Sequence, residues 1–341
     1  MPATVTLTQR PTGPLTLADW RAAVRGGASV TELVRQRLAQ AVRPAAAAAA
    51  SGDDATDPAW ILPPTSPAMR AHIEARLGEL EALSAATPDR AALLQRWPLF
   101  GVPFALKDNK DVTGLPTTAA CPAFAHSAGG SATVVTRLLA AGAVLIGKTN
   151  LDQFATGLVG TRSPYGQPTS TWSAEHVSGG SSSGSAVVVS RGTVPFALGT
   201  DTAGSGRVPA GFNHIVGLKP TPGRVSTAGV LPACRSLDCV SVFALTAADA
   251  AVVLAVLEGE DAADDYSRFS PGLAGWNHAL RIGVPMRPRL DAEQGGPAAW
   301  AAAETLAREC GATLVPVDFE PLHAVAQLLL SLIHISQGIV R

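Results

Sequence analysis

The 341-residue sequence is 47% hydrophobic and 16% charged, which is typical of a globular chain with a substantial buried core. Its 26 basic and 27 acidic residues give a net charge of −1, which excludes a global positive field for nucleic acid or an anionic membrane. No apolar run approaches the roughly 20 residues of a membrane span, and residues 2–14 lack the pattern of a signal peptide, so we expect a cytoplasmic protein that acts on small molecules.

The first part of the chain, residues 1–90, predicts a helical accessory segment. Ser29 and Glu32 have the spacing of a capping box in front of an apolar helical face. Residues 44–58 are a low-complexity stretch that predicts a loop or a frayed helix end. A second amphipathic helix is predicted over residues 69–83, with these side chains facing inward: Ile73, Leu77, Leu80 and Leu83.

Short apolar strands alternate with helices from Leu99 onward. The strand predictions are residues 100–109, 143–150, 193–201, 279–285 and 313–319, and the helix predictions are residues 131–142, 246–259 and 297–311. In the first of these helices, Ser131 is the expected N-cap and Gly142 follows the last turn. This alternation predicts an α/β fold over residues 91–329, with a sheet that helices cover on both faces.

The four cysteines do not predict a metal site or a thiol nucleophile. Their spacings match no metal-ligand pattern. In a cytoplasmic protein we expect most of the following to be reduced, buried, small hydrophobic side chains: Cys121, Cys234, Cys239 and Cys310.

Two segments match known sequence motifs, but the secondary structure predicted around them is not the one that these motifs require. Residues 142–149 fit a P-loop, but the helix precedes the glycine and the variable positions predict a strand, so no phosphate-binding turn is expected. Residues 180–184 fit the nucleophile elbow of a serine hydrolase, with Ser182 at the centre. The polar segment before it predicts no strand, and neither His214 nor His323 lies in a triad context.

Three other segments combine a reactive group with unusual backbone requirements. Lys107 ends a predicted strand, where burial would lower the pKa of its amine and make it a base near neutral pH. The serine-rich residues 179–185 continue into an apolar segment, 186–189, which a flexible linker does not normally do. Residues 199–205 predict a turn of small residues in which successive N–H groups meet in one concavity beside Ser205.

These groups predict a serine hydrolase that works without histidine. The hydroxyl of Ser205 would attack an amide carbonyl. Its proton would pass through a bridging serine to the neutral amine of Lys107, which later returns it to the leaving nitrogen.

The order of lysine, GGSSSGS, GTDTAGSGR and GLKPTPG resembles the amidase signature family, over about residues 15–329. The resemblance implies that Lys107 is the base, Ser181 the bridging serine after a cis peptide bond, and Ser205 the nucleophile. It also implies that four backbone N–H groups form the oxyanion hole: those of Thr202, Ala203, Gly204 and Ser205.

Other stretches resemble members of that family that hydrolyse allophanate (urea-1-carboxylate), among them GLPTTAACPAFA and LPACRSLDCVSVFALT. The resemblance implies that allophanate is hydrolysed to ammonia and carbon dioxide in urea degradation, without metal or organic cofactor. It further implies a homodimer and a functional link to urea carboxylase. Three alternatives stay open: a general amidase, one component of an amidotransferase, and an inactive truncated fragment.

The resemblance ends near residue 329. By the family's register, a tyrosine and an arginine that hold the substrate carboxylate would fall near positions 330 and 338, where this chain has Leu330 and Gly338. We therefore interpret residues 330–341 as an anomalous tail. We also expect the sheet to be incomplete at its C-terminal end, with an unpaired edge.

Overall fold

The computed structural model describes residues 13, 15–41, 57–270, 280–293 and 295–327. The low-complexity residues 44–56 and the tail at 330–341 lie outside these ranges. The chain divides into two units, Met1–Phe269 and Ser270–Arg341.

The first unit contains a six-stranded sheet. In chain order its strands are β1 (Trp60–Leu62), β2 (Pro103–Lys107), β5 (Val144–Thr149), β6 (Phe196–Asp201), β7 (Val216–Leu218) and β8 (Cys239–Ala244), and a small hairpin supplies β3 (Pro116–Thr117) and β4 (His126–Ser127). The order across the sheet is β1-β5-β2-β6-β8-β7. β2 is parallel to β5 and β6, whereas β1–β5, β6–β8 and β7–β8 are antiparallel pairs. The predicted mixed α/β class is confirmed.

Four helices precede β2, and local signals explain their starts. They are α1 (Leu17–Arg25), α2 (Val30–Ala41), α3 (Pro67–Ala86) and α4 (Arg90–Arg96). In the second of them, the Ser29 hydroxyl accepts from the Glu32 N–H at 3.3 Å, which is one half of the predicted capping box. Ser66 caps the third, in which Ile73, Leu77 and Leu80 are buried as predicted.

The N-terminal part also contributes to the central sheet, a role that the sequence did not predict. β1 pairs with β5, and apolar side chains of α1, α3 and α4 belong to the same hydrophobic core as the sheet. A three-residue strand carries no periodic signal of its own, because its pattern is too short to distinguish from a turn. The domain boundary at 90/91 stays a prediction.

The remaining helices of the first unit lie between and after the strands. They are α5 (Thr133–Ala140), α6 (Ser183–Ser190), α7 (Val208–Phe212) and α8 (Ala247–Leu257). α6 packs against β2, β5 and β6 and is buried from Ser183 to Val189. The predicted placement of the serine-rich segment against the core is thus confirmed.

Three local predictions differ from the structure. Most of the cysteines were expected to be buried, but Cys239 alone of the four is buried, since the other three are half-buried or exposed. The N-cap of α5 is Ala132 and not Ser131, because the Ser131 hydroxyl instead accepts from the N–H of Thr113 at 2.9 Å. The turn expected from Gly199 onward begins only after Asp201, where the strand predicted over residues 193–201 ends, because the ladder with β8 extends to the pair Asp201 and Cys239.

The second unit has its own small sheet. β9 (Arg281–Pro285) and β10 (Thr313–Val317) pair in parallel, with α9 (Gly296–Glu309) between them in the chain. All three elements match the sequence-based predictions. A parallel pair joined through a helix is the βαβ unit that such an alternation indicates.

Gly184, in the first turn of α6, is expected to tolerate no side chain. A Cβ there would overlap the carbonyl oxygen of Ala59 and lie 2.7 Å from the amide nitrogen of Asn150. Because both neighbours are backbone atoms, Gly184→Ala should lower the free energy of unfolding by about 3 kcal/mol or more, measured by chemical denaturation. Gly78, in α3, has open space around it, so Gly78→Ala should raise stability by about 0.5–1 kcal/mol. Equal effects at the two positions would contradict the described packing.

Candidate active site

Lys107 lies at the carboxyl end of β2, close to the serines before α6 and to the end of β6. β2 and β6 are parallel, so their last residues share one edge of the sheet. The side chain of Lys107 is fully buried. Its Nζ donates to three hydroxyl oxygens: Ser181 Oγ at 2.7 Å, Ser182 Oγ at 3.1 Å and Thr200 Oγ1 at 2.7 Å. The predicted proximity of Lys107 and Ser181 is therefore observed.

Burial lowers the pKa of Lys107 from 10.5 to about 7. Desolvation disfavours the ammonium form, and the nearby carboxylates of Asp152, Asp238 and Asp201 oppose this effect only in part. Near neutral pH the amine is therefore present in both protonation states. A group with this property can accept a proton and return it within one reaction cycle.

Hydrogen bonding separates the roles open to the two serines that contact Lys107. Ser182 Oγ donates to the carbonyl of Thr200 at 3.1 Å and accepts from the Thr200 N–H at 3.2 Å. Since a hydroxyl has one proton, Ser182 can only accept from Lys107. Ser181 Oγ has Lys107 as its partner in the described part of the chain, so its proton is free to be passed on.

Asp152 holds the backbone around Ser181. The Asp152 N–H donates to the carbonyl of Ser181 at 3.0 Å, while the carboxylate accepts from the N–H groups of Gly160 at 3.0 Å and Arg162 at 2.9 Å. A Cβ on Gly180 would overlap this carboxylate, so glycine is required at that position. The peptide bond between Gly180 and Ser181 is cis, at the position that the family resemblance implies.

The turn after β6 is organised by Asp201. Its carboxylate accepts from the N–H groups of Gly204 at 2.8 Å and Gly206 at 3.1 Å, and it forms two side-chain bonds with Arg207 at 2.9 and 3.0 Å. Burial alone would raise the pKa of Asp201, but the bonds to Arg207 and the charge of that residue lower it overall. The carboxylate is therefore ionised, and it fixes the backbone on both sides of Ser205.

Ser205 itself is 4% exposed, and its hydroxyl donates to the carbonyl of Gly157 at 3.4 Å. That distance is at the long end for such a bond. Within the described ranges no hydrogen bond joins Ser205 to Ser181. The hydroxyl would have to turn from Gly157 toward Ser181 for a proton to pass between them.

The four N–H groups of the implied oxyanion hole are not equivalent. The Gly204 N–H is already bonded to Asp201. Those of Thr202, Ala203 and Ser205 have no hydrogen-bond partner among the described residues. Open N–H groups beside a buried hydroxyl could bind an oxyanion.

Four residues of this site were absent from the sequence-based prediction: Asp152, Thr200, Asp201 and Asp238. Each acts across a long sequence separation or through the backbone of a turn. For Asp201 the DTAGSGR segment gives a signal, because a carboxylate six residues before an arginine can close a turn around the serine between them.

The rejected P-loop motif and His214 both have structural roles in the described fold. Residues 144–149 form β5, and Lys148 Nζ makes a buried ion pair with Asp108 at 2.6 Å. His214 packs edge-on against the ring of Trp172, with centroids 5.0 Å apart.

No helix of the described residues is long and apolar enough to cross a membrane.

The mixed sheet and the buried contact between lysine and serine define an α/β protein with a serine-rich polar site at the carboxyl ends of its parallel strands. The sequence profile of the Amidase family matches residues 66–340. The chain therefore belongs to the amidase signature family, and the match includes the segment that we interpreted as an anomalous tail.

Two urea amidolyases are similar to this chain, those of Lachancea kluyveri and Saccharomyces cerevisiae. The first is 54% identical over 238 residues, which is 69% of this chain and 13% of that protein, and the second is 54% identical over 236 residues, 68% and 13%. The matching component of the glutamyl-tRNA(Gln) amidotransferase of Chloroflexus aggregans is 44% identical over 229 residues, 65% of this chain and 47% of that protein. The matched region thus spans a small part of the urea amidolyases.

Solved structures of such proteins also have a fold similar to that of this chain. The allophanate hydrolase of Kluyveromyces lactis is 43% identical, with a TM-score of 0.79 over 92% of this chain and 48% of that chain. The urea amidolyase of K. lactis has a TM-score of 0.80 at 43% identity, over 93% and 18%.

Proposed function

We propose that this chain hydrolyses an amide through Ser205 as nucleophile, Ser181 as proton relay and Lys107 as base. One observation carries the proposal: a fully buried amine with a pKa of about 7 lies 2.7 Å from a serine hydroxyl whose proton is free. A lysine in this state can act as a base where an exposed lysine cannot.

The first half of the reaction forms an acyl-enzyme. Ser205 Oγ attacks the amide carbon as its proton moves to Ser181 Oγ, and the proton of Ser181 moves to Lys107 Nζ. The developing oxyanion is bound by the open N–H groups of Thr202, Ala203 and Ser205. The Lys107 ammonium then returns its proton through Ser181 to the leaving nitrogen, because an amide leaves as a neutral amine and not as an anion.

The second half of the reaction releases the acyl group. Water attacks the Ser205 ester and gives its proton to Lys107 through Ser181. Ser205 then leaves as a hydroxyl when that proton comes back. The cycle consumes one water for each C–N bond broken, and all three side chains return to their starting protonation states.

We further propose that the substrate is allophanate, which carries a terminal amide and a carboxylate. The support is the similarity to the two yeast urea amidolyases and to the allophanate hydrolase of K. lactis. The amidotransferase similarity favours a second candidate, hydrolysis of a simple amide such as glutamine, at lower identity.

The test is ammonia release by the purified chain from allophanate, glutamine and acetamide at equal concentrations. Preference for allophanate by at least about tenfold in kcat/KM supports the first candidate. Preference for glutamine or acetamide supports the second. If none of the three releases ammonia, the proposal of an amide hydrolase is wrong for this chain.

We also propose a cellular setting for this reaction. We place the protein in the cytoplasm, where its four free cysteines would stay reduced. The similarity to urea amidolyases supports a functional link to urea carboxylase, whose product would be this substrate. A homodimer is proposed from the family resemblance, and light scattering of the purified chain measures it.

A further inference from the structure

Asp238 joins the loop at residues 233–234 to the turn at Thr202, which belongs to the proposed oxyanion site. Its side chain is 6% exposed, and it immediately precedes β8. The carboxylate accepts from the N–H of Ala233 at 2.9 Å and from that of Cys234 at 3.0 and 3.1 Å. It also accepts from the hydroxyl of Thr202, in the turn that leads to Ser205.

Among the described contacts, the hydrogen bond from the Thr202 hydroxyl to the Asp238 carboxylate holds Thr202 in place. The N–H of Thr202 has no partner among the described residues, as required of an oxyanion donor. The other end of the turn is held separately, since Asp201 binds the N–H groups of Gly204 and Gly206. Two carboxylates thus hold the turn, one at each end.

Asp238 also lines a cavity of about 340 Å³. The cavity wall includes Leu231, whose carbonyl accepts from the Asn109 side chain at 3.3 Å, and Asn109 in turn lies 3.5 Å from Thr200 Oγ1. Asp238 therefore lines open space and is also close enough to Lys107 for its charge to act on that amine.

The charge of Asp238 has an effect distinct from its hydrogen bonds. The pKa of Asp238 is raised overall, because burial outweighs the opposite effects of the bonds from Thr202 and the backbone of 233–234 and of the charge of Lys107. In return, the Asp238 carboxylate raises the pKa of Lys107, together with Asp152 and Asp201. Lys110 is also fully buried, and burial together with the charge of Lys107 lowers the pKa of Lys110 well below 10.5.

We propose that Asp238 is a positioning residue that holds the N–H of Thr202 in the oxyanion site through the Thr202 hydroxyl. The proposal rests on the function proposed above, because an oxyanion forms only if an acyl transfer takes place. It predicts that the loss of the Thr202 hydroxyl slows the chemical step without weakening the binding of substrate.

The test compares kcat and KM for Thr202→Val, Thr202→Ser, Asp238→Ala and Asp238→Asn, on the substrate that the wild type prefers. Thr202→Val should lower kcat by at least about tenfold with KM nearly unchanged, and Thr202→Ser, which keeps a hydroxyl, should restore most of the rate. The double variant Thr202→Val/Asp238→Ala should have a kcat only slightly lower than that of Asp238→Ala, because both substitutions remove the same hydrogen bond.

The Asp238→Asn variant distinguishes the effect of the Asp238 hydrogen bonds from the effect of its negative charge. Asparagine can still accept from the N–H groups of 233–234 and can donate to the Thr202 hydroxyl, so Asp238→Asn should retain a higher maximal rate than Asp238→Ala. Because a negative charge is lost, the pKa of Lys107 should fall and the acid limb of the pH profile should move to lower pH. Thr202→Val leaves that charge in place and should not move the limb.

An unchanged kcat for Thr202→Val in an active protein would overturn the positioning role while leaving the hydrolase intact. Additive losses in the double variant would overturn it as well. A wild type without activity on any amide would overturn the proposed function and this role with it.

Discussion

Ser205→Ala is expected to lower kcat for amide hydrolysis by about four to six orders of magnitude, because it removes the only atom that would form the acyl-enzyme. Among the described residues the Ser205 hydroxyl makes one long bond, to Gly157, so its loss should change the midpoint of chemical denaturation little. Ammonia release under single-turnover conditions measures the first effect. A variant that retains more than a few per cent of the wild-type rate would rule out Ser205 as nucleophile.

Ser183→Ala is the matched control for that experiment. Ser183 lies in the serine-rich segment beside Ser181 and is buried, but its hydroxyl has no hydrogen-bond partner in the described structure. The substitution removes a buried hydroxyl without a partner among the described residues, so we expect wild-type activity and equal or higher stability. Loss of activity in both variants would show that the site does not distinguish one serine from another, and would remove the evidence for a specific role of Ser205.

Lys107→Met is expected to lower kcat by about 10²–10⁴-fold, the usual contribution of a positioned base. In the wild type the neutral amine is the active form, so the rate should be constant above pH 7 and should fall tenfold for each pH unit below the Lys107 pKa of about 7. The residual activity of the methionine variant should lack this acid limb. A limb that persists near pH 7 in Lys107→Met would assign it to another group.

The same variant should be more stable than the wild type at neutral pH, since methionine carries no charge to desolvate. The folded-state pKa of Lys107 is lowered, so between about pH 7 and pH 10.5 the unfolded chain binds more protons than the folded one. Wild-type stability therefore rises with pH across this window, and the advantage of methionine should shrink. Lys110→Met, which removes a second fully buried amine, should keep the acid limb near pH 7.

The parts of the fold that the sequence predicted are those with a local signal. β2, β5 and β6 are short apolar runs between glycines and helices, and such runs identify buried strands without any knowledge of their partners. The proximity of Lys107 and Ser181 was predicted in a different way, from a family resemblance whose motifs span both residues. Their catalytic roles stay predictions until activity is measured.

The missed features depend on contacts that no local pattern encodes. β1 is part of the sheet only because β5 pairs with it, and Ser131 caps no helix because Thr113 uses its hydroxyl. Asp238 contacts Thr202 across 36 positions of the chain. Such a pair could be predicted only after the order of strands in the sheet was known.

The burial of α6 has a consequence for how the site is lost on heating or in denaturant. Ser181 and Ser182 lead directly into this helix, and every residue from Ser183 to Val189 is buried. A helix without a solvated face cannot fray by itself, so its amides exchange with solvent only when the surrounding unit opens. The serine cluster therefore keeps its geometry for as long as the first unit stays folded, and catalytic inactivation and cooperative unfolding would share one transition.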